Sequence, residues 1–411
     1  MRHTEDVEVA VVGAGPAGST LAAALARRGV EVVVLERSPA WQWRAGGVFT
    51  SPAAVEALRA TGLAEATIDA VTQPIPAMRL ETPGGTAVRL TYGTETGGPP
   101  AVGFDRSRLD PALEQLALDV GADVRRGVTV HAVRLAPAAD RRERHLLVLG
   151  DHELRARIVV GADGTHSLVA RAAGVARPPR LARRVGLTWH VDDPRPRTDP
   201  PRDARLVVRR DAYIGLAPVP GRRLNIGVVL GPSWLGGLAE AGAASTVQRL
   251  VGAIPPTADD ATDWASAPVC DRIAGASPLG VSVTRRAGRG WFLVGDAAGF
   301  LDPFTGEGLH RALVSSELAA RAIVAALARE GADRVRSAAA YDRAMKRRFR
   351  SKDAVSWLVQ TFLARPAFFE YTARRLAERP DVRATMGLVM GDLVPASRGL
   401  DPRFLAALLA P

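Results

Sequence analysis

The sequence predicts an α/β fold in which a parallel-sheet domain is interrupted by a smaller antiparallel-sheet domain of α+β type and followed by a helical C-terminal region. One observation is a valine-rich run, Val7–Val12, that leads into the glycine-rich segment Gly13–Gly18 and then into an apolar-periodic helix. Another is the succession of short strands, separated by proline and glycine, in residues 75–103 and 183–230. The third is the helical periodicity that begins at Gly308 and continues towards the C-terminus.

These patterns divide the 411 residues into three units. The α/β domain is predicted to be discontinuous, because the chain leaves it twice for the sheet domain. The α/β domain comprises residues 1–72, 99–176 and 270–335, the sheet domain residues 73–98 and 177–269, and the helical region residues 336–411. We find no internal repeat and no low-complexity linker long enough to separate independent modules.

The composition is that of an ordinary globular protein, since 47% of the residues are hydrophobic, which is ample for a core. The N-terminus has no signal-peptide pattern and no apolar run reaches the length that a bilayer requires, so we expect a cytoplasmic protein. The single cysteine, Cys270, excludes an internal disulfide and any multi-cysteine zinc or iron–sulfur site. We predict no metal site.

The net charge of +11 raises the question of a nucleic-acid partner. Lysine occurs only at Lys346 and Lys352, and arginine supplies the rest of the positive charge, scattered through turns and helix ends with acidic residues between. No RNA-binding aromatic motif or helix-turn-helix spacing accompanies it. We therefore attribute the charge to genomic base composition and expect no nucleic-acid partner.

One basic segment, Arg343–Arg350, stands directly before the apolar-periodic stretch Ala354–Leu363. This combination is typical of an amphipathic helix that lies on a membrane surface. It is equally typical of a surface helix that buries its apolar side against its own protein. We prefer the second interpretation and keep membrane contact through this helix as the alternative.

The segment Gly13–Gly18 has the spacing of a dinucleotide-binding turn, and its context is that of a Rossmann-like unit. Gly13 permits the tight turn, Gly15 lets a pyrophosphate approach the backbone, and Gly18 lets helix and strand pack closely. Ala17 and Gly18 open the helix, whose N-terminus faces the phosphates. Glu36 ends the next strand, 18 residues after Gly18, where a carboxylate can accept hydrogen bonds from a ribose and would repel a 2′-phosphate.

A second motif follows the last apolar strand, where Asp296 stands in a Gly-Asp-Ala-Ala turn at the edge of the predicted sheet. A carboxylate at that edge can bind ribityl hydroxyls, which a nicotinamide dinucleotide lacks. Beyond it, the loop from Pro303 to Leu309 contains Gly306 and Gly308, so its backbone can touch a flat ring. The long helix that follows points its positive end at that ring, which would stabilise negative charge on a reduced flavin.

Together with the segment Gly161–Ser167 (GADGTHS), these motifs resemble a group of FAD proteins with the fold of para-hydroxybenzoate hydroxylase. The group comprises single-component aromatic hydroxylases, geranylgeranyl reductases and flavin halogenases, and the resemblance spans residues 7 to about 313. It implies that FAD is the cofactor, that the α/β domain binds it, and that the sheet domain binds the substrate. The helical tail is reminiscent of the geranylgeranyl-reductase branch.

The resemblance also implies a role for individual residues. It places Glu36 on the adenosine ribose, Arg106 near the pyrophosphate, Val130 beside the adenine, Asp163 in a supporting role, Asp296 on the ribityl chain, the Pro303–Leu309 backbone at the isoalloxazine ring, and Arg44 on the FAD side. Two of these residues also have a structural interpretation, because Arg106 could pair with an acid at a helix start and Asp163 could cap a turn.

No catalytic residue is assigned, and two weak candidates remain. His310 follows the flavin loop and could act as an acid or base, although we favour a packed histidine at a helix start. Tyr213 could donate a hydrogen bond to a substrate oxygen.

The sequence departs from these relatives on the substrate side. The halogenase segment Trp-x-Trp-x-Ile-Pro is absent, and the Cys-Gly-Gly of geranylgeranyl reductases is replaced by Ala45-Gly46-Gly47. Their Tyr-x-Trp-x-Phe-Pro strand corresponds to residues 213–218, where Gly215 and Ala217 stand in place of the large aromatics. These small residues indicate either a reshaped pocket or close strand packing.

We therefore expect a FAD-dependent monooxygenase, of hydroxylase or epoxidase type, in specialised metabolism. Its partners would be an apolar or aromatic small molecule and dioxygen. Electrons would come from NAD(P)H bound transiently, or as reduced flavin from a separate reductase, because only one complete dinucleotide-binding unit is present. The alternative is a reductase or dehydrogenase of the geranylgeranyl-reductase type that acts on a prenyl-like double bond. A third hypothesis is a binding protein that keeps the flavin fold without catalysis.

Overall fold

The computed structural model describes residues 4–137, 144–150, 152–178, 183–258, 260–329 and 332–410, and it confirms the predicted fold class. The strands are β1 (Thr4–Val12), β2 (Val32–Glu36), β3 (Phe49–Thr50), β4 (Thr72–Ile75), β5 (Ala77–Glu81), β6 (Ala87–Thr91), β7 (Ala101–Phe104), β8 (Asp123–Arg126), β9 (Ala132–Arg134), β10 (His145–Leu149), β11 (His152–Gly161), β12 (Ala176–Arg177), β13 (Val185–Asp192), β14 (Ala204–Arg209), β15 (Ala212–Val219), β16 (Arg223–Leu230), β17 (Ala274–Ala276), β18 (Ser282–Val283), β19 (Ala287–Gly288) and β20 (Trp291–Leu293). The helices are α1 (Pro16–Ala26), α2 (Pro52–Ala60), α3 (Glu65–Val71), α4 (Arg106–Asp119), α5 (Leu168–Ala172), α6 (Pro232–Gly252), α7 (Gly308–Leu327), α8 (Ala332–Leu363), α9 (Pro366–Glu378), α10 (Pro380–Met390) and α11 (Pro402–Leu409).

The first sheet has the strand order β19-β20-β11-β1-β2-β8, and β10 and β9 extend it from β11. Its centre is parallel, since β1 pairs in parallel with both β2 and β11. The strands at this centre contain the buried apolar runs Val9–Val12, Val32–Leu35 and Ile158–Val160, since both faces of the sheet are covered; helices α1, α4 and α7 pack together beside it. The turn after β1, the turn after β11 and the turn after β20 therefore meet at one edge of the sheet.

The second sheet has the order β17-β13-β16-β15-β14-β5-β6 and is largely antiparallel. Strand β17 belongs to it, although our predicted division counted residues 270–335 with the α/β domain; the domain boundaries stay a prediction. One face of the sheet packs under α6, a helix for which the sequence analysis predicted no element, and buries side chains such as Ile214, Leu216 and Ile226. We call the opposite face the inner face. It packs against the C-terminal helices, the loop after β20 and residues 41–49.

The C-terminal helices connect the two sheets. Tyr341 and Phe349 of α8 are buried in the core of the first sheet, and the Tyr341 hydroxyl donates to the backbone carbonyl of Leu293 at 2.6 Å. Further along the same helix, Val355 and Phe362 are also buried. The apolar side of this helix is thus occupied by its own protein. Within the described ranges, no helix combines the length and the apolar composition that crossing a bilayer would require.

We expect the purified protein not to float with liposomes that contain anionic lipid. Membrane insertion would have to expose apolar side chains that α8 already buries, and the exposed Arg343, Arg347 and Arg350 alone offer only a salt-sensitive attraction. The measurement is the floated fraction at low and high salt, with neutral liposomes as the control. Strong binding that salt abolishes would instead support the membrane interpretation of this helix.

Candidate functional site

The glycine-rich turn after β1 has the geometry that a bound phosphate requires. Gly13 has φ of +102°, and a Cβ there would lie 2.6 Å from the carbonyl oxygen of Ala162. A Cβ on Gly18 would lie 1.9 Å from the Gly13 oxygen, so this glycine allows α1 to approach the strand. A Cβ on Gly15 would meet nothing within 4 Å, so open space lies in front of this residue at the N-terminus of α1. Such a helix end binds anions.

Glu36 is held as a carboxylate at the end of β2. It accepts hydrogen bonds from the backbone nitrogens of Ala14 at 3.1 Å and Ser38 at 3.0 Å, and Arg44 Nη2 lies 3.1 Å away. Burial alone would raise the pKa of this carboxyl, but the two backbone hydrogen bonds and the arginine lower it below the usual value. The predicted ribose acceptor, Glu36, is therefore hydrogen-bonded directly to the glycine-rich turn, through Ala14.

Asp296 lies at the same edge of the sheet, in the turn after β20. Its carboxyl is surrounded by protein but keeps an accessible side, and burial raises its pKa while the charges of Arg106 and Arg311 oppose that rise. It accepts no hydrogen bond from any residue that the structure describes. A deep carboxylate without protein donors suits an acceptor for the hydroxyls of a ligand.

Arg106 connects Asp296 with the segment that follows β2. It forms an ion pair with Asp110, one turn along α4, at 2.7 Å. A Cβ on Gly46 would lie 2.3 Å from Arg106 Nη1, so the backbone of this segment passes directly over the guanidinium. Both interpretations of Arg106, a helix-start ion pair and a group near the cofactor, are thus compatible with its position.

The predicted flavin loop is a well-defined turn at the N-terminus of α7. Asp302 caps it by accepting from the backbone nitrogen of Phe304 at 3.0 Å. Gly306 has φ of +67°, and a Cβ there would lie 2.6 Å from the Phe49 ring. Glu307 is the N-cap residue of α7, which begins at Gly308, and Leu309 is buried in the first turn. Pro303 opens the loop, and α7, which the loop leads into, packs against the turn that contains Asp296.

The other predicted cofactor residues lie around this edge, and their roles stay predictions. Arg44 is exposed and bonds Glu36 and Ser38. Ala17 is buried in the first turn of α1, and Val130 is partly buried beside β8. Asp163 accepts from the backbone nitrogen of Leu168 at 2.6 Å, whereas its other oxygen is buried without a partner among the described residues; burial raises its pKa.

The two weak catalytic candidates are both held by protein partners. The Tyr213 hydroxyl donates to Asp302 Oδ1 at 2.5 Å, and burial, together with that carboxylate, raises the tyrosine pKa well above its usual value. His310 Nδ1 lies 3.1 Å from Asp392 and Nε2 lies 3.1 Å from Arg348 Nη2. Because the arginine can only donate, Nε2 accepts and Nδ1 carries the proton. Both candidates therefore have protein partners, and a catalytic role for either stays a prediction.

The inner face of the second sheet is open at its centre. Gly215 and Gly227 are paired across β15 and β16, are accessible to solvent, and would carry Cβ atoms with no heavy atom closer than 3.9 Å. Of the two positions at which the sequence lacks a large aromatic, Gly215 therefore borders open space, whereas Ala217 is buried in an apolar cluster.

Side chains around this space combine aromatic and polar groups. Phe304 of the flavin loop packs edge-on against Tyr213, with ring centroids 5.2 Å apart. Asn225 donates to the hydroxyl of Thr188 at 3.0 Å and to the carbonyl of Trp189 at 3.1 Å. Its Oδ1 atom is the nearest neighbour of a Cβ built on Gly227, at 3.9 Å, and so borders the open space as an acceptor.

Sequence reasoning missed one buried group on this face, His190 of β13. Its Nδ1 lies 2.6 Å from Asp271 Oδ2, its ring packs 4.6 Å from that of Trp43, and its Nε2 is buried without a partner in the part of the chain that the structure describes. The alternation of apolar and polar residues in β13 places His190 on the inner face with Thr188, but only the pairing with β16 reveals the neighbours.

The comparisons with known proteins give a consistent family. A family model described as an FAD binding domain matches residues 6–349. The menaquinone reductase of Mycobacterium tuberculosis H37Rv is 28% identical over 344 residues, covering 78% of this chain and 77% of the relative. The digeranylgeranylglycerophospholipid reductase of Methanosarcina acetivorans is 26% identical over 332 residues, covering 78% of this chain and 75% of the relative.

Solved structures extend the similarity to almost the whole chain. A flavoprotein/dehydrogenase from Cytophaga hutchinsonii has a TM-score of 0.77 at 20% identity, covering 96% of this chain and 94% of that chain. PqsL, a probable FAD-dependent monooxygenase from Pseudomonas aeruginosa, has a TM-score of 0.72 at 20% identity, covering 89% of this chain and 99% of that chain. At this identity the likeness concerns the fold.

Proposed function

The chain belongs to the FAD-binding-domain family and is a FAD-dependent oxidoreductase, and from this premise we propose that it is a monooxygenase acting on an apolar or aromatic small molecule. The observation that carries the proposal is the open space over Gly215 and Gly227, on the same sheet face as Tyr213, whose ring contacts Phe304 of the flavin loop. Rings and one amide oxygen border this space, a combination that suits a compact, mostly apolar substrate with one hydrogen-bond donor.

The residues at the sheet edge fit FAD. The phosphate turn has open space at Gly15, Glu36 is kept ionised, and Asp296 is a deep acceptor that lacks protein donors. Glu36 would hold the adenosine ribose, the N-terminus of α1 the pyrophosphate, and Asp296 the ribityl chain. When bound, FAD would supply the redox chemistry that activates dioxygen.

The protein's own contribution would be orientation and exclusion of water. Phe304 and Tyr213 would bound the substrate on the side of the flavin loop, and Asn225 Oδ1 would accept a hydrogen bond from the substrate. The Tyr213 hydroxyl is already committed to Asp302, so we assign it to fixing Phe304 rather than to the substrate. Hydroxylation with oxygen activated by FAD would need no side chain that acts as an acid or base, because the activated oxygen is itself electrophilic.

The test is the mass of the product formed with labelled dioxygen. The purified protein, loaded with FAD, is incubated with NADPH or with a flavin reductase and a panel of aromatic and prenylated quinone probes. We expect one product to gain one labelled oxygen atom. A product that gains two hydrogens under anaerobic conditions, with no oxygen incorporated in air, would overturn the proposal.

The second candidate is a reductase that acts on a prenyl-like double bond. It is favoured by the curated relatives, which are named reductases at 26–28% identity. Reduction of such a bond needs a proton donor beside the hydride donor, which Ala45 cannot supply. His190, oriented by Asp271 and packed on Trp43, is the buried group that could supply it. Under this candidate, His190→Gln would abolish the anaerobic product and leave FAD bound.

A further inference from the structure

A buried cluster of charges lies directly behind the flavin loop, and α8 supplies its centre. Lys352 has an exposed fraction of only 1%. Its Nζ donates to the backbone carbonyls of Val389 at 2.9 Å and Met390 at 3.1 Å, and it lies 3.1 Å from Asp392 Oδ1. The three hydrogens of the ammonium thus match three oxygens, two at the C-terminal end of α10 and one in the turn that follows it.

The fourth oxygen near this ammonium belongs to the flavin loop. Glu307 is 5% exposed, and its Oε1 lies 2.9 Å from Lys352 Nζ. This oxygen accepts no hydrogen bond from the described residues, so the lysine stabilises it through charge alone. The other oxygen, Oε2, lies 3.6 Å from Arg311 Nε. A buried carboxylate therefore stands at the N-terminus of α7, and its closest neutralising charge comes from a helix far along the chain.

The position of Glu307 creates an electrostatic conflict. The N-terminus of α7 carries a partial positive charge, which favours the negative charge that a flavin ring acquires on reduction. An unneutralised carboxylate in the same turn would cancel that effect, because buried charges are poorly screened.

We propose that Lys352 is a positioning residue of the flavin site: it neutralises Glu307 and fastens the C-terminal helices to the flavin loop, so that the loop keeps a positive face towards the ring. The C-terminal helical region contributes a further carboxylate to this cluster, Asp392. Asp392 is a non-glycine residue with φ of 57°, and it bridges Lys352 and His310. Burial would raise its pKa, but the hydrogen bond from His310 and the charge of Lys352 lower it to about 2.

The identity of the side chain supports this assignment. Among 54 basic residues only Lys346 and Lys352 are lysines, so a lysine in this chain is an exception to its use of arginine. A compact ammonium can direct its three hydrogens to the Val389 and Met390 carbonyls and Asp392 while its charge stays 2.9 Å from Glu307 Oε1, whereas the donors of a planar guanidinium lie in one plane. Lys346 is the matched contrast, because its side chain is 57% exposed and pairs with Asp342.

The test compares Lys352→Met, Glu307→Gln, the double variant and the control Lys346→Met in the full-length protein. Three quantities are measured: the FAD dissociation constant by fluorescence, the midpoint potential of the bound flavin, and the thermal midpoint of the apoprotein. We expect Lys352→Met to weaken FAD binding about 10-fold or more and to shift the midpoint potential to more negative values. The double variant should recover most of the FAD affinity and most of the midpoint potential. The control Lys346→Met should leave the affinity and the potential unchanged.

The double variant separates charge neutralisation from general support of the fold. A merely structural lysine would lower the thermal midpoint without moving the potential, and Glu307→Gln would not rescue it. Either result would overturn the proposal. If Lys352→Met does not fold, Glu307→Gln alone still decides, because it leaves the ammonium in excess and should shift the potential to more positive values; an unchanged or more negative potential contradicts the proposal.

Discussion

Asp296→Ala is expected to lose FAD while keeping the fold of the apoprotein. The carboxylate has no protein hydrogen-bond donor within the described residues, so its predicted partners are the ribityl hydroxyls of FAD. Hydrogen bonds to a charged acceptor contribute about 1.5–3 kcal/mol each, so the dissociation constant should rise about 10- to 100-fold. The measurement is fluorescence titration of the apoprotein with FAD, together with flavin occupancy after gel filtration.

The stability of the apoprotein provides the internal control. Burial raises the pKa of Asp296 in the folded state, which means that keeping it ionised at neutral pH costs folding free energy in the absence of a ligand. The alanine variant should therefore unfold at the same temperature as the parent apoprotein, or slightly higher. Glu56→Ala, at an exposed side chain, serves as the matched acidic control and should retain FAD fully. If Asp296→Ala retained FAD at full occupancy, there would be no reason to assign Asp296 to the ribityl chain.

Gly215→Leu is expected to block the substrate and spare the cofactor. The new side chain would project from the inner face into space where a Cβ meets no atom closer than 3.9 Å, so the strand accepts it without a clash. A leucine fills that space, and we expect kcat/KM for the substrate found by the oxygen-labelling experiment to fall about 100-fold, equivalent to about 2.7 kcal/mol. FAD affinity and the thermal midpoint should stay unchanged.

The control for this variant is Gly236→Leu on α6, where a Cβ also meets nothing within 4 Å but the position lies on the other side of the second sheet. It should leave kcat/KM unchanged. Equal turnover in Gly215→Leu and the parent protein would mean that the substrate does not occupy the space over the paired glycines. Equal losses in both variants would point to a general effect of leucine on the fold.

The cofactor half of the molecule could be predicted from the sequence because its determinants are local. Gly13 needs a positive φ, and Glu36 ends the strand that follows, both of which depend on residues close in the chain. The parallel order of the first sheet then brings the turn at Asp296 to the same edge without any further information. A continuous apolar run such as Val32–Leu35 of β2 indicates a sheet covered on both faces.

Only the tertiary structure decided what lies around the cofactor edge. The sequence left Gly215 open to two interpretations, and the space in front of Gly215 and of Gly227, its partner on the next strand, decided for open space. The sequence likewise could not show that Tyr213 is hydrogen-bonded to Asp302 and His310 to Asp392. These hydrogen bonds join residues that are 80 or more positions apart in the chain. The periodicity of a sequence does not indicate which distant side chain will contact a given residue.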